Sequence, residues 1–274
     1  CGGASMWAAT THDGVHLVDL HIHTAGANAI VHLDSWCAVV NCEVEGNTGA
    51  NFGIDVNSGS TIARCHVHDC AYPIAATRSV VFGNFVEDTV VAITRGITAN
   101  NETVVVGNVI KLATVAAIGI YSVTGGGAHI IGNSIYNSAA GTGAGISLNI
   151  VSGSIINNVI EGFSGTGGDD VDFGSDPVPV VVGNAYYNCT NHFTNQVATA
   201  YAANNDELAA SPFTAPGTND FTIDGTQAGA TEDAWPAAFL GAASTVNLAD
   251  KGAVQAGAGT AGGGMPILMG SVVR

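Results

Sequence analysis

The sequence predicts an all-β fold, a solenoid of about eight stacked coils with three short strands in each coil. A short phrase recurs at intervals of 19 to 26 residues, and aliphatic and polar residues alternate within it. A repeat of this length is typical of stacked units that cannot bury their apolar faces alone. Few helices are expected, because no long stretch has the 3.6-residue period of an amphipathic helix.

The recurring phrase predicts the first strand of each coil. In residues 20–23, Leu20 and Ile22 point one way and the two histidines point the other, as in a strand with one buried face. The phrase begins at Leu20, Cys42, Cys65, Asn84, Asn108, Asn133, Asn158 and Asn184.

Two further strands are predicted in each coil. The second alternates in the same way, as in residues 31–34 and 54–57, and a third β-branched run such as 60–62 leads into the next phrase. Gly, Asn, Ser and Thr lie between these runs, as tight turns require. A β-sandwich of ordinary hairpins is the alternative, but it does not explain a phrase that keeps its phase over so many repeats.

Five asparagines share the first position of the phrase. Stacked on neighbouring coils about 4.8 Å apart, their amides can hydrogen-bond along the solenoid axis. A buried amide is costly unless it is bonded, so a structural ladder of these side chains is expected. Its members are Asn84, Asn108, Asn133, Asn158 and Asn184.

The repeated Gly-Asn or Asn-Asn pair before an aliphatic residue, followed by turn residues, resembles the repeat of the pectin-lyase-like superfamily. The resemblance covers about residues 10–195. It implies a single-stranded, right-handed parallel β-helix. It does not imply one activity, because that superfamily includes lyases, hydrolases, phage tailspikes and passive surface proteins.

The composition favours a protein outside the cell, on a cell surface or on a virion. The chain has 6 Lys and Arg residues against 22 Asp and Glu residues, a formal net charge of −16. This excess disfavours nucleic acids and anionic membrane surfaces as partners. No membrane span is predicted, because no segment has about 18 consecutive apolar residues.

Cys42 and Cys65 share one inward phase on adjacent coils. Their Cα atoms are therefore expected about 5 Å apart, within the range of a disulfide. A disulfide between them is one expectation. Two stacked buried thiols, packing as small hydrophobic side chains, are the other.

The repeat is predicted to stop near residue 199, which divides the chain into three parts. These are a parallel β-helix over 1–198, a C-terminal capping module over 199–255, and a Gly-rich linker with an apolar tail over 256–274. The segments 219–223 and 250–255 resemble the closing module of bacterial and phage β-helix proteins. That resemblance implies a cap that covers the last coil and its strand edges.

Self-association through the solenoid ends and the tail is expected. Strand-like sequence begins at residues 6–8, so the first coil is expected to be open or covered by another chain. The tail either folds back on its own solenoid or docks as an added strand on a neighbouring subunit. Its apolar residues are Ile267, Leu268, Met269, Val272 and Val273.

One outward-facing set of side chains predicts a metal site. Imidazole and carboxylate groups are ligands for Zn²⁺ and similar ions. The alternative is an exposed cross-strand ladder, whose pairs contribute at most about 1 kcal/mol each. The set alternates His and Glu pairs on three coils and consists of His21, His23, Glu43, Glu45, His66 and His68.

A second set, Asp34, Asp55, Arg78 and Arg95, predicts a catalytic groove. In residue type it resembles polysaccharide lyases, in which Asp-bound Ca²⁺ acidifies a uronic acid and an Arg takes its proton. Asp34 and Asp55 could instead serve as the paired carboxylates of a glycosidase. Ordinary solvated polar residues are the alternative, since the chain has few arginines.

Three functions agree with these observations. The leading prediction is a structural or adhesive component of an extracellular or phage-type assembly, because the loops are short and the tail is apolar. The second is a polysaccharide lyase or glycoside hydrolase acting on an acidic glycan. The third is a metal-binding surface protein that uses the alternating His and Glu residues.

Overall fold

The computed structural model describes residues 7–8, 13–23, 30–46, 52–88, 92–122, 127–148, 152–173, 180–192, 202–203 and 205–223. The predicted apolar tail and the segment 250–255 lie outside these residues. Among them, no helix is long and apolar enough to cross a membrane.

Three parallel sheets extend along the chain. Sheet A contains β1 (Trp7–Ala8), β4 (Val31–Leu33), β7 (Phe52–Val56), β10 (Tyr72–Thr77), β13 (Arg95–Asn100), β16 (Ile118–Ser122), β19 (Ala144–Leu148) and β22 (Asp169–Asp172). Sheet B contains β2 (His16–Val18), β5 (Ala38–Val40), β8 (Thr61–Ala63), β11 (Val80–Phe82), β14 (Val104–Val106), β17 (Ala128–Ile131), β20 (Gly153–Ile156), β23 (Val180–Val182) and β25 (Ala202–Ala203). Sheet C contains β3 (His21–His23), β6 (Glu43–Glu45), β9 (His66–His68), β12 (Phe85–Glu87), β15 (Val109–Leu112), β18 (Ser134–Asn137), β21 (Val159–Glu161), β24 (Ala185–Tyr187) and β26 (Asp206–Glu207).

Each turn of the solenoid uses one strand from each sheet. Within each sheet, every strand pairs with the equivalent strand one turn earlier and one turn later. About seven complete turns run from β2 to β22, and β23 to β26 continue sheets B and C beyond them. This arrangement confirms the predicted all-β solenoid, with about seven turns rather than eight.

The core lies inside the coils and consists of aliphatic side chains stacked in register. From β3 to β21 in sheet C, each central residue pairs with its equivalent on the next coil and is at most 2% exposed. Burying such a side chain stabilises the fold by about 1.5–3 kcal/mol. This column contains Ile22, Val44, Val67, Val86, Ile110, Ile135 and Ile160.

The asparagine ladder runs along the corner before sheet C. Each side-chain Nδ2 donates to Oδ1 of the next asparagine at 2.9 Å, from Asn84 to Asn108 and onward. The same Oδ1 accepts a backbone N–H of the preceding coil at 2.9 Å. The ladder continues into Asn205, which the recurring phrase did not include. All five predicted members are fully buried, so the ladder satisfies amides that water cannot reach.

Cys42 and Cys65 occupy the same column as the asparagines, and both are free thiols. The structure thus has two stacked, buried thiols, the second of the two expectations, and no bond joins their sulfur atoms. Each thiol instead donates to the carbonyl two residues before it, at 3.4 Å for both Val40 and Ala63.

The described part of the predicted capping module lies along the flank of the solenoid. Strands β27 (Phe213–Ala215) and β28 (Asp220–Ile223) pair antiparallel and are joined by a 3-10 helix, Pro216–Thr218. Phe213 and Phe221 are buried against an apolar part of the outward face of sheet C, including Val109 and Val159. The hairpin thus covers a side of the solenoid, whereas the sequence predicted a cover over its last coil.

Candidate functional site

The candidate site lies on the outward face of sheet C. Because side chains alternate along a strand, each strand of this sheet presents its first and third residues outward. The hairpin packs over the apolar stretch that begins near Phe85. The coils before it present the His/Glu patch, which we define as His21, His23, Glu43, Glu45, His66 and His68.

Three members of the His/Glu patch converge at its centre. One donor atom each from Glu43, His66 and His68 lies within 4.8 Å of the other two. His68 Nε2 is 3.5 Å from Glu43 Oε1. The rings of His66 and His68 lie 4.6 Å apart between centroids, with an interplanar angle of 33°. This arrangement follows from the register, which places Glu43 directly opposite His66 on the next coil.

The other three members form a neighbouring ion-pair cluster. Glu45 Oε2 lies 3.1 Å from His23 Nδ1 and 3.5 Å from His21 Nε2. The two histidine side chains are more than half exposed, at 52% for His23 and 58% for His21. Exposed pairs of this kind contribute about 0–1 kcal/mol each. The six predicted ligands therefore divide into a converged trio and an exposed trio.

Asp69 belongs to the site, although the sequence analysis did not single it out. Its Oδ2 lies 2.9 Å from His68 Nδ1, and the residue is only 7% exposed. With Glu45 and His68, it forms a second group whose donor atoms lie within 4.8 Å of one another. Asp69 follows β9 directly and has a φ of 57°, a conformation that Asp tolerates better than most residues. An Asp immediately after a His-x-His strand is the signal that could have identified it.

Glu87 connects the His/Glu patch to the C-terminal hairpin. Its Oε2 lies 3.6 Å from His66 Nε2, and its Oε1 lies 2.9 Å from the Lys111 ammonium. The Asn219 amide of the hairpin donates to the same carboxylate at 3.3 Å. His66, Lys111 and Asn219 together lower the pKa of Glu87 to about 2. This carboxylate therefore stays charged at the boundary between patch and hairpin.

The two predicted catalytic aspartates are engaged in separate contacts. Asp55 Oδ2 lies 2.8 Å from His32 Nδ1, which pairs with it across the two strands. Asp34 Oδ1 accepts a hydrogen bond from the Asn57 amide at 3.3 Å. Both carboxylates therefore serve contacts between coils.

The two predicted catalytic arginines lie at opposite ends of neighbouring strands. Arg78 follows the last residue of β10, whereas Arg95 is the first residue of β13. Ile74 of β10 pairs with Ile97 of β13. Arg95 therefore lies beside Tyr72, at the start of β10. Six residues of extended strand separate these levels by about 20 Å. The Arg95 guanidinium instead lies 3.7 Å from the ring centroid of Tyr121. The structure therefore does not bring all four of Asp34, Asp55, Arg78 and Arg95 together, because Arg78 and Arg95 are separated along the strand direction. Their catalytic role stays a prediction.

Comparison with known proteins gives no match among family models, curated proteins or solved structures. The fold that the structure shows, a parallel β-solenoid, is therefore the level at which the chain is classified.

Proposed function

We propose that this protein is a structural building block of an extracellular assembly and that its solenoids associate end to end. The observation that carries the proposal is the pair of parallel strand edges at the two ends. Among the described residues, β2 and β3 begin sheets B and C, and β25 and β26 end them. A strand edge exposes backbone donors and acceptors that can pair with another chain.

The direction of the strands favours head-to-tail stacking. Every pair within the three sheets is parallel, so β2 and β3 of one molecule placed on β25 and β26 of another would continue the same pairing. Such a contact joins two different surfaces, and repeating it produces a ring or an open filament.

The side chains near the first edge support this contact. Val18 and Leu20 are 48% and 42% exposed, although both are large and hydrophobic. Leu20 occupies the column that contains the asparagine ladder in later coils. Covering this apolar surface would favour association.

The charge balance supports a location outside the cell, on a cell surface or on a virion. The formal net charge is −16, and the chain has few basic residues. Such a charge keeps the exposed surface of an assembled particle soluble. Catalysis on a glycan is the second candidate, and it has less support because Arg78 and Arg95 lie at opposite ends of neighbouring strands.

The test is the assembly state of the full chain, measured by light scattering and electron microscopy. The wild-type protein should form multimers or filaments, and Leu20→Lys should shift it towards single chains by placing a charge at the edge. Val115→Lys is the matched control, because Val115 is 49% exposed in a turn far from both edges. A wild-type protein that remains a single chain at all concentrations would contradict the proposal.

The sequence predicts a second, separable contact through the apolar tail, which lies outside the described residues. Deleting residues 265–274 should weaken assembly if the tail docks on a neighbouring subunit. Assembly that depends on Leu20 but not on the tail would assign the contact to the solenoid ends alone.

A further inference from the structure

Two imidazole nitrogens in the His/Glu patch are buried without a hydrogen-bond partner. They are Nε2 of His66 and Nε2 of His68. Their nearest charged neighbours lie 3.6 Å away on Glu87 and 3.5 Å away on Glu43. A buried polar atom without a partner destabilises the folded state, and folded proteins retain few of them. Two such atoms, on histidines whose donor atoms converge with that of Glu43, indicate that a ligand completes the site.

The contact between Asp69 and His68 orients one of these nitrogens. A carboxylate at Nδ1 favours a proton there, which leaves the lone pair on Nε2. The His68 side chain is only 13% exposed, so its ring is held in place. Histidines that bind metals usually have their other ring nitrogen on a carboxylate or carbonyl in this way.

We propose that Glu43, His66 and His68 bind one divalent transition-metal ion, such as Zn²⁺, with Asp69 as a positioning residue for His68. This site goes beyond the proposed assembly function and does not depend on it.

The distances fit a zinc ion. Zinc binds imidazole nitrogen at about 2.0–2.1 Å and carboxylate oxygen at about 2.0–2.2 Å, so two tetrahedral ligands lie about 3.4 Å apart. The separation between His68 Nε2 and Glu43 Oε1 is 3.5 Å. The donor atoms of all three residues lie within 4.8 Å of one another, so small side-chain rotations of His66 and Glu43 would complete the geometry.

The donor set selects the class of ion. Two imidazoles and one carboxylate suit Zn²⁺ and similar transition metals, whereas Ca²⁺ and Mg²⁺ take oxygen ligands. The Glu43 and His66 side chains are 40% and 36% exposed, so a further coordination position is open to water or to a group on another molecule.

Calorimetric titration of the full chain with Zn²⁺ or Ca²⁺, in the presence of a phosphine reductant, tests the site. The wild-type protein should bind one Zn²⁺ per chain and no Ca²⁺ at this affinity. Glu43→Gln and His68→Ala should each lower Zn²⁺ affinity at least 100-fold. His23→Ala is the matched control, because His23 lies in the same patch outside the converged trio, and its affinity should change less than threefold. Circular dichroism identifies any variant that fails to fold, and Glu43→Gln, on a partly exposed side chain, should retain the fold.

Asp69→Asn tests the positioning role. Affinity should fall about 10–100-fold, and the ¹⁵N chemical shifts of the His68 ring should show a loss of preference for the Nδ1–H tautomer. The absence of one-to-one Zn²⁺ binding in the wild-type protein would overturn the proposal. Equal losses in Glu43→Gln and His23→Ala would also overturn it, because they would indicate diffuse binding to surface histidines. Both results are independent of assembly, since binding is measured per chain.

Discussion

The side-chain amide of Asn184 donates to Oδ1 of Asn205 at 2.9 Å, one coil beyond the last recurring phrase. The same oxygen accepts the backbone N–H of Asn184 at 3.0 Å. The ladder therefore contains six asparagines, from Asn84 to Asn205. Its interior members have bonded neighbours on both sides, whereas Asn205 is bonded to a ladder neighbour on one side among the described residues. Interior positions should contribute more to stability than this end position.

Asn133→Ala should lower the free energy of unfolding by about 3 kcal/mol, and Asn205→Ala by about 1 kcal/mol. Either replacement removes the acceptor for the backbone N–H and side chain of the preceding asparagine. Only Asn133 also donates to a following asparagine, Asn158, and only Asn133 is fully buried, so the groups it leaves unpaired are out of reach of water. Urea unfolding of the two variants measures the difference. An equal decrease in the free energy of unfolding for both variants would contradict the larger contribution of the interior asparagines.

The sequence predicted the ladder because its asparagines keep one phase relative to a buried aliphatic column. It did not predict Asn205, because the residues after it, Asp206 and Glu207, lack the aliphatic alternation of the earlier phrases. A further unpredicted polar column joins Cys37, Ser60 and Ser79, in which each hydroxyl accepts the backbone N–H of the preceding coil. Ser and Cys are common at turns, so nothing in the sequence distinguished this column from ordinary turn residues.

The thiols of Cys42 and Cys65 should remain free and unreactive in the native protein. Both residues are 2% exposed. The hydrogen bond that Cys65 donates to Cys42, together with burial, raises the pKa of Cys65, and the same bond lowers the pKa of Cys42 to about 6. Burial therefore protects Cys42, because an alkylating reagent cannot reach its sulfur, whereas Cys65 is both buried and protonated. Mass spectrometry after iodoacetamide treatment should show neither residue modified in buffer and both modified in denaturant. A native protein whose mass without reductant is lower by two hydrogen atoms, and in which these two residues are cross-linked, would contradict this prediction and support the disulfide.

The position of the hairpin could be predicted in part from the sequence. Phe85, Val109 and Val159 lie in outward phase on β12, β15 and β21 of sheet C, with Ser134 of β18 between the last two. An exposed apolar stripe of this size usually has a cover. The sequence did not identify the cover, because nothing in residues 213–223 specifies which face they contact. The His/Glu patch was predicted from alternation alone. Asp69 was not, since its role depends on the conformation of one turn.

Phe221→Ala should release the hairpin while leaving the solenoid folded. The Phe221 ring lies 5.3 Å from Phe213 and 6.3 Å from Phe85, and the residue is 4% exposed. Removing a buried phenyl group costs about 3–5 kcal/mol, which is enough to expose a short hairpin. Hydrogen exchange should increase over residues 208–221 and stay slow in the centres of the three sheets. Thr214→Ala, at an exposed position of the same hairpin, should leave exchange unchanged.

Glu161 should make the stability of the protein depend on pH. It is 7% exposed beneath the hairpin, where the Ser211 hydroxyl donates to its Oε2 at 2.8 Å. Burial raises the pKa of Glu161 to about 7, and the Ser211 hydroxyl offsets only part of this effect. An unfolded Glu has a pKa of about 4.3. Between these values the folded protein keeps a proton that the unfolded chain has released. The protonated Glu161 side chain therefore makes its full contribution to the free energy of unfolding below about pH 4.3. This contribution is lost as the pH rises through about 7.

The loss of stability from this group is about 3 kcal/mol at pH 8. Glu161→Gln keeps an acceptor for Ser211 but cannot ionise, so its stability should vary less between pH 5 and pH 8. Subtracting the wild-type unfolding free energies from those of Glu161→Gln at each pH isolates the effect of this carboxylate from that of every other group in the chain. The difference should favour the variant increasingly as the pH rises. Glu102→Gln removes one carboxylate from an exposed side chain and is the matched control for the change in net charge. A constant difference for Glu161→Gln would mean that the carboxylate is solvated beneath the hairpin, and that the hairpin lies less tightly on sheet C than its contacts indicate.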